Sequence, residues 1–304
     1  MNLLPVAVLV FIVIIVIVAC SIQEDRKNRP IEPPINAPIR HDKLLFGYYG
    51  DCNGFIPCYA AISGHTNLLM IPSYGPMASQ AEIDAANDRI VQNIKAATSA
   101  GPAKKVIVFV NHLMYTQIPN KQVYVGDALA ATRLRELFFK FRLEGVSDKV
   151  HGFYPLDEPD LNVEDLGGVP AQFNLLRQVM DEYPEYKSAV IAIFYNSGSQ
   201  FPGLAQVDWV GVDDYNAGVS VLYNQYPALK KVMGPNQRLM VIPGGSDPWK
   251  EDPTSFYNYA LNDPSVVAIV AFAYFNMSDG TPGISTNGLA SIYAGLGTKI
   301  VNTP

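Results

Sequence analysis

Eight short apolar runs recur between residues 44 and 272, at 44–49, 67–72, 106–111, 150–154, 189–195, 209–213, 239–242 and 266–272. Most are near-continuous stretches of Val, Ile, Leu, Phe and Ala. Such runs suit strands buried on both faces, as parallel sheets require. Segments with helical periodicity separate several of them. Ser79 and Glu82 have capping-box spacing, and Ile83, Ile90, Ile94 and Ala97 then share one helical face before Gly101. Asp127 is placed to cap a second helix, lined by Leu134, Leu137, Phe138 and Phe141 and ended by Gly145. Pro170 opens a third, with Phe173, Leu176, Val179 and Met180 facing inward. Asp252 and Pro253 read as N-cap and first residue of another, running to Leu261, and residues 289–296 form the last. The connection after the fifth run, and the one after the sixth that Pro227 interrupts, are too short for full helices.

This eightfold alternation predicts an α/β fold, a single-domain (β/α)8 TIM barrel over residues 43–304. A doubly wound open sheet would usually carry a nucleotide fingerprint. No Gly-x-Gly-x-x-Gly or P-loop follows any of the runs, so no cofactor is expected.

Residues 3–19 are almost continuously apolar and end at Cys20. Ile17-Val18-Ala19-Cys20 resembles a bacterial lipobox, which implies lipidation of Cys20 and export with a membrane tether, at the periplasmic face or cell surface. No Lys or Arg precedes the stretch, and Arg26, Lys27 and Arg29 follow it, a pattern that fits an uncleaved single-pass anchor instead. Residues 21–42 contain Pro30, Pro33, Pro34 and Pro38 and read as a semi-extended linker reaching at most about 60 Å. Cys52 and Cys58 bracket a turn-rich loop. A disulfide there fits an oxidising compartment.

The net charge of −6 comes without any block of Lys and Arg, which argues against a nucleic-acid partner. His41, His65, His112 and His151 are scattered, so no metal site is expected. No Gly-x-Ser-x-Gly elbow is present. A monomer is expected.

Barrel enzymes build their sites from the C-terminal ends of the strands. Those ends supply Tyr48 and Tyr49, then Asn111 and His112, Asp157 and Glu158, Tyr195 and Asn196. Asp213, Asp214, Tyr215 and Asn216 follow the sixth run, and Tyr274 and Asn276 the eighth. Carboxylates, amides and flat aromatic rings match a carbohydrate, whose hydroxyls need partners while its ring face stacks. Pro159 biases Glu158 toward extended backbone.

Leu156-Asp157-Glu158-Pro159 is similar to the Asn-Glu-Pro motif on the fourth strand of many TIM-barrel glycoside hydrolases. That resemblance implies Glu158 as general acid/base, with Asp157 in place of an Asn that contacts the sugar 2-hydroxyl. The same families usually carry a nucleophilic Glu after the seventh strand. This chain has Ile242-Pro243-Gly244-Gly245 there, with no acid before Asp247. Asp213 or Asp214 is therefore the expected second carboxylate, as nucleophile, as inverting base, or as the group orienting an acetamido substituent. A non-catalytic sugar-binding barrel is the alternative.

Overall fold

The computed structural model describes residues 44–49, 56–73, 79–99, 104–119, 121–196, 200–247, 249–276 and 280–303, with backbone alone at 56–58. Residues 1–43, where the leader, the lipidated Cys20 and the linker were expected, lie outside the described residues, as do Cys52 and the side chain of Cys58.

Eight parallel strands form one nearly closed barrel: β1 (Leu45–Tyr49), β2 (Leu68–Ile71), β3 (Lys105–Phe109), β4 (Val150–Tyr154), β5 (Val190–Tyr195), β6 (Trp209–Val212), β7 (Arg238–Val241) and β8 (Val266–Phe272). Each strand from β2 to β8 pairs with the next, and β8 pairs with β1, Tyr48 lying beside Ala271. The β1–β2 seam is joined differently. Asn67 N–H donates to the Phe46 carbonyl at 3.0 Å, and Phe46 N–H donates to Asn67 Oδ1 at 2.7 Å. A side-chain amide thus takes the place of a ladder bond. Gly47 lies on this seam, and a Cβ there would overlap the Leu68 carbonyl oxygen.

Strand alternation sorts the core into two layers. Leu45, Tyr49, Met70, Phe109, Tyr154, Phe194, Met240 and Val270 are among the side chains filling the barrel interior. The alternate set packs outward against helices α1 (Ile56–Ile62), α2 (Gln80–Thr98), α3 (Asp127–Leu143), α4 (Val169–Asp181), α5 (Val221–Val232), α6 (Pro253–Asn262) and α7 (Ala290–Val301). On α2, Ile83, Ile90 and Ile94 are fully buried, each contributing about 1.5–3 kcal/mol by leaving water.

The Ser79–Glu82 capping box forms as expected. Asp127 does not cap α3. Gly126 holds the cap position, and the Asp127 carboxylate accepts from the Tyr124 hydroxyl at 2.9 Å. The segment after β6 is a full 12-residue helix, α5, with Pro227 inside it. An interior proline costs a helix roughly 3 kcal/mol. Val221, Leu222, Tyr226 and Leu229, all buried, outweigh that cost. A two-stranded hairpin, Tyr115–Ile118 against Lys121–Tyr124, also stands between β3 and α3.

Candidate active site

The site begins where β4 ends. Tyr154 points into the barrel, Pro155 and Leu156 are buried, and the chain then turns sharply at Glu158. Glu158 has φ 42° and ψ 63°, the left-handed region rather than the extended one. It is the single non-glycine residue with positive φ among the described residues. That conformation costs on the order of 1–2 kcal/mol. The preceding-proline clash closes only the right-handed helical region, so the left-handed turn remains open to it. What holds it is the one-turn helix Pro159–Asn162. Leu161 and Asn162 N–H donate to the Glu158 carbonyl at 2.9 and 2.8 Å, and Asn162 Nδ2 donates to the Asp157 carbonyl at 3.0 Å. The strained turn aims the Glu158 carboxyl into the barrel mouth.

Three carboxyls meet there. Asn196, at the end of β5, donates through Nδ2 to Glu158 Oε1 at 2.8 Å. Tyr154 Oη–H donates to Asp157 Oδ1 at 2.7 Å, and Tyr49 donates to the same carboxyl. Asp213, at the end of β6 and 5% exposed, lines the same cleft as Glu158, whose carboxyl raises the hold of Asp213 on a shared proton. Burial raises all three carboxyls. Hydrogen bonds from Tyr49 and Tyr154 oppose this at Asp157, and the Asn196 amide opposes it at Glu158. At Asp213 the charges of Asp157 and Glu158 add to burial, holding it well above the usual carboxylate range. The Asp213–Glu158 pair therefore keeps one proton into conditions where ordinary carboxyls have lost theirs. Asp213 Oδ1 is buried and has no partner. Asp214 accepts from Gln225 Nε2 at 2.6 Å.

A cleft of about 280 Å³ opens over these groups, lined by Tyr49, Asp157, Glu158, Asn196, Asp213, Asp214, Tyr215, Asn216, Trp249 and Phe272. Tyr215 stacks on Phe272 with centroids 5.0 Å apart and planes 14° apart, and Trp249 stands 6.0 Å from Tyr215. The Tyr215 hydroxyl is buried without a partner. Beside this wall lies Glu251, 7% exposed, accepting from Gly244 N–H while its own N–H donates to the Gly244 carbonyl at 2.9 Å. Burial pushes the Glu251 carboxyl up to about 8.

Of the residues expected at the site, Tyr49, Asp157, Glu158, Asn196, Asp213, Asp214 and Tyr215 converge on this cleft. Tyr48, His112, Tyr195 and Tyr274 sit elsewhere, because strand alternation and the turns after each strand send them into the layer between sheet and helices. Tyr48 donates to or accepts from His65 Nε2 at 2.9 Å and packs on Tyr274. Tyr195 Oη–H donates to the Pro202 carbonyl at 2.9 Å. His112 is 3% exposed and lies 3.0 Å from Asn87 Oδ1; burial lowers it to about 3, so it stays neutral. Asn111 accepts from Ser73. Asn276 is exposed and ties down its own loop by accepting from Gly283 N–H and Thr286 Oγ1–H. Trp249 and Phe272 complete the mouth, with Glu251 behind its wall, without having been anticipated. Trp249 and Glu251 come from the loop after β7, and only the close approach of Gly244 to Glu251 reveals where that loop folds back. No group of His, Cys, Asp and Glu among the described residues is arranged to hold a metal ion.

No protein-family profile matches the chain, and no curated protein does. Solved structures do match. An endo-laminarinase from Formosa superposes with TM-score 0.54 at 13% identity, over 81% of this chain and 83% of its own. The fold is shared with TIM-barrel glycoside hydrolases. A family 113 β-mannanase from Alicyclobacillus acidocaldarius gives TM-score 0.52 at 12% identity, over 85% of this chain and 97% of that one. A family 30 xylanase from Clostridium acetobutylicum gives 0.52 at 13%, over 88% and 74%.

Proposed function

We propose that the cleft cleaves glycosidic bonds in an oligo- or polysaccharide, with Glu158 as general acid/base and Asp213 as the group that stores its proton. The observation that carries this reading is the pairing of the buried Asp213 carboxyl with that of Glu158 on one cleft at the mouth of a glycosidase-type barrel. A general acid must be protonated at its working pH, and a buried pair sharing one proton meets that need. Three neighbouring groups fit the scheme. Asn196 holds one Glu158 oxygen in place. Asp157, fixed by two phenols, raises the affinity of Glu158 for its proton. The stacked Tyr215 and Phe272 offer flat faces to a sugar ring.

The same pairing favours one division of labour. Opposed carboxylates stand roughly 5–5.5 Å apart in retaining enzymes and roughly 6.5–9.5 Å apart in inverting ones. Asp213 and Glu158 are coupled through one proton and so act as one acid unit rather than as an opposed pair. Of the other two carboxyls on the cleft, Asp157 is held by Tyr49 and Tyr154, which makes Asp214 the better candidate for nucleophile or base. One observation favours a sugar-binding barrel without turnover. Pro243-Gly244-Gly245 brings no carboxylate to the end of β7, and Glu251 is turned away toward backbone.

Reducing-end release from mannan, galactan, laminarin and xylan, beside calorimetric binding, separates these readings. Glu158→Gln is expected to lose about 10²–10⁴-fold in turnover while keeping its glycan affinity. Binding without product from the wild-type chain on every glycan would select the non-catalytic reading.

A further inference from the structure

The cleft is unusual in the sign of its charges. Four of its lining residues, Asp157, Glu158, Asp213 and Asp214, are acidic, and no Lys, Arg or His lines it among the described residues. Nor does the sequence carry one at 50–55, 74–78, 197–199, 248 or 277–279. On the loop that supplies Trp249, the cation Lys250 is already engaged by Asp247 at 2.8 Å. An anionic sugar, such as a uronic acid or a sulfated residue, would meet only repulsion here.

Two residues that line the cleft, the buried Asp213 and the part-buried Tyr215, each carry a buried oxygen without a partner. Asp213 Oδ1 and the Tyr215 hydroxyl are shut off from water without a hydrogen-bond partner. Orphaned buried polar atoms are costly and mark where a ligand group completes the network. An ammonium group has three donors and no acceptor, so it can satisfy carboxylate and phenol oxygens together. The aromatic faces of Tyr215, Phe272 and Trp249 add to the attraction, because their π-systems favour a nearby cation. A neutral sugar hydroxyl answers one orphan atom but leaves the surplus of negative charge uncompensated.

We infer that the cleft takes a glycan carrying a free amine, a hexosamine that is not N-acetylated, with its ammonium against Asp213, Asp214 and the Tyr215 hydroxyl. This rests on the reading of the cleft as a glycan site and sharpens it to a substrate class.

The test uses the full-length chain in detergent. Oligomers of glucosamine and galactosamine are titrated calorimetrically at low salt and at high salt, beside their N-acetylated and hydroxyl counterparts of the same length. The free-amine oligomers are expected to bind at least tenfold more tightly than both counterparts, with the preference shrinking as salt rises. Asp214→Asn is expected to cut that preference at least fivefold. Equal or tighter binding of the N-acetylated or hydroxyl oligomers overturns the inference. So does a preference that survives Asp214→Asn unchanged, because the amine would then be held elsewhere on an acidic protein. Product release separates this from the hydrolase reading. Amine-selective binding without product from any glycan supports the inference and removes catalysis. Product from neutral glycans with no amine preference leaves catalysis standing and removes the inference. Absence of both binding and product with all three sets overturns the inference as well.

Discussion

Glu158 is held in a backbone conformation that side chains disfavour, and its carboxyl lines the cleft at the barrel mouth. Strain of this kind persists where surroundings over-determine it, here through Pro159 and the helix turn behind it. Its proton affinity is raised first by burial and then by the charge of Asp157. Asp157→Asn removes that charge, so the alkaline limb of the pH–rate profile is expected to move to lower pH. A limb that stays in place, or moves to higher pH, contradicts the assigned role of Asp157. Glu251 yields a prediction about stability. Its carboxyl is raised to about 8, against an unfolded value near 4.3. A raised acid is destabilising when ionised. The cost is absent below about pH 4, grows as pH rises toward 8, and is complete above that. Glu251→Gln keeps an acceptor for Gly244 N–H and removes the ionisation. It is expected to raise stability by on the order of a few kcal/mol at pH 9 and to change little at pH 4, by thermal or urea unfolding.

The elements were legible where pattern and packing agree. All eight barrel strands were readable in the sequence because parallel strands buried on both faces become uninterrupted apolar runs. The capping box at Ser79 was readable because its chemistry is local, and Ser79→Ala is expected to lower stability by about 1 kcal/mol in a denaturant titration. Features set by distant packing escaped. The helix α5 runs through Pro227 because buried Leu222, Tyr226 and Leu229 outweigh the local penalty. Strand phase explains the mixed result at the site. Tyr48 and Tyr49 are adjacent in sequence, yet only Tyr49 faces the barrel interior. Trp249 reaches the mouth, and Glu251 the wall behind it, through a loop closure that no local signal marks. The β1–β2 seam carries its own prediction. A Cβ on Gly47 meets the Leu68 backbone, which cannot give way as a side chain can. Gly47→Ala is expected to destabilise the fold by about 1–3 kcal/mol or more, seen as a lower unfolding midpoint.

At the scale of the whole molecule, a barrel with an acidic mouth follows a Pro-rich segment and an apolar stretch ending at Cys20. We propose that residues 21–42 hold the barrel off a membrane surface, through lipid on Cys20. Mass spectrometry of the mature protein is expected to show an N-terminus at a lipid-modified Cys20. An intact segment from Met1 to Ser21 would point to an uncleaved anchor instead. Whether the barrel is an enzyme depends on whether Glu158 transfers a proton. The most direct measurement compares wild type and Glu158→Gln on two substrates of the same sugar, one with a sugar leaving group and one with a dinitrophenyl leaving group. A departing dinitrophenolate needs no protonation. The account predicts that the variant loses about 10²–10⁴-fold on the first substrate and less than about tenfold in the bond-breaking step of the second. Equal losses on both substrates, or none on either, would contradict Glu158 as the general acid.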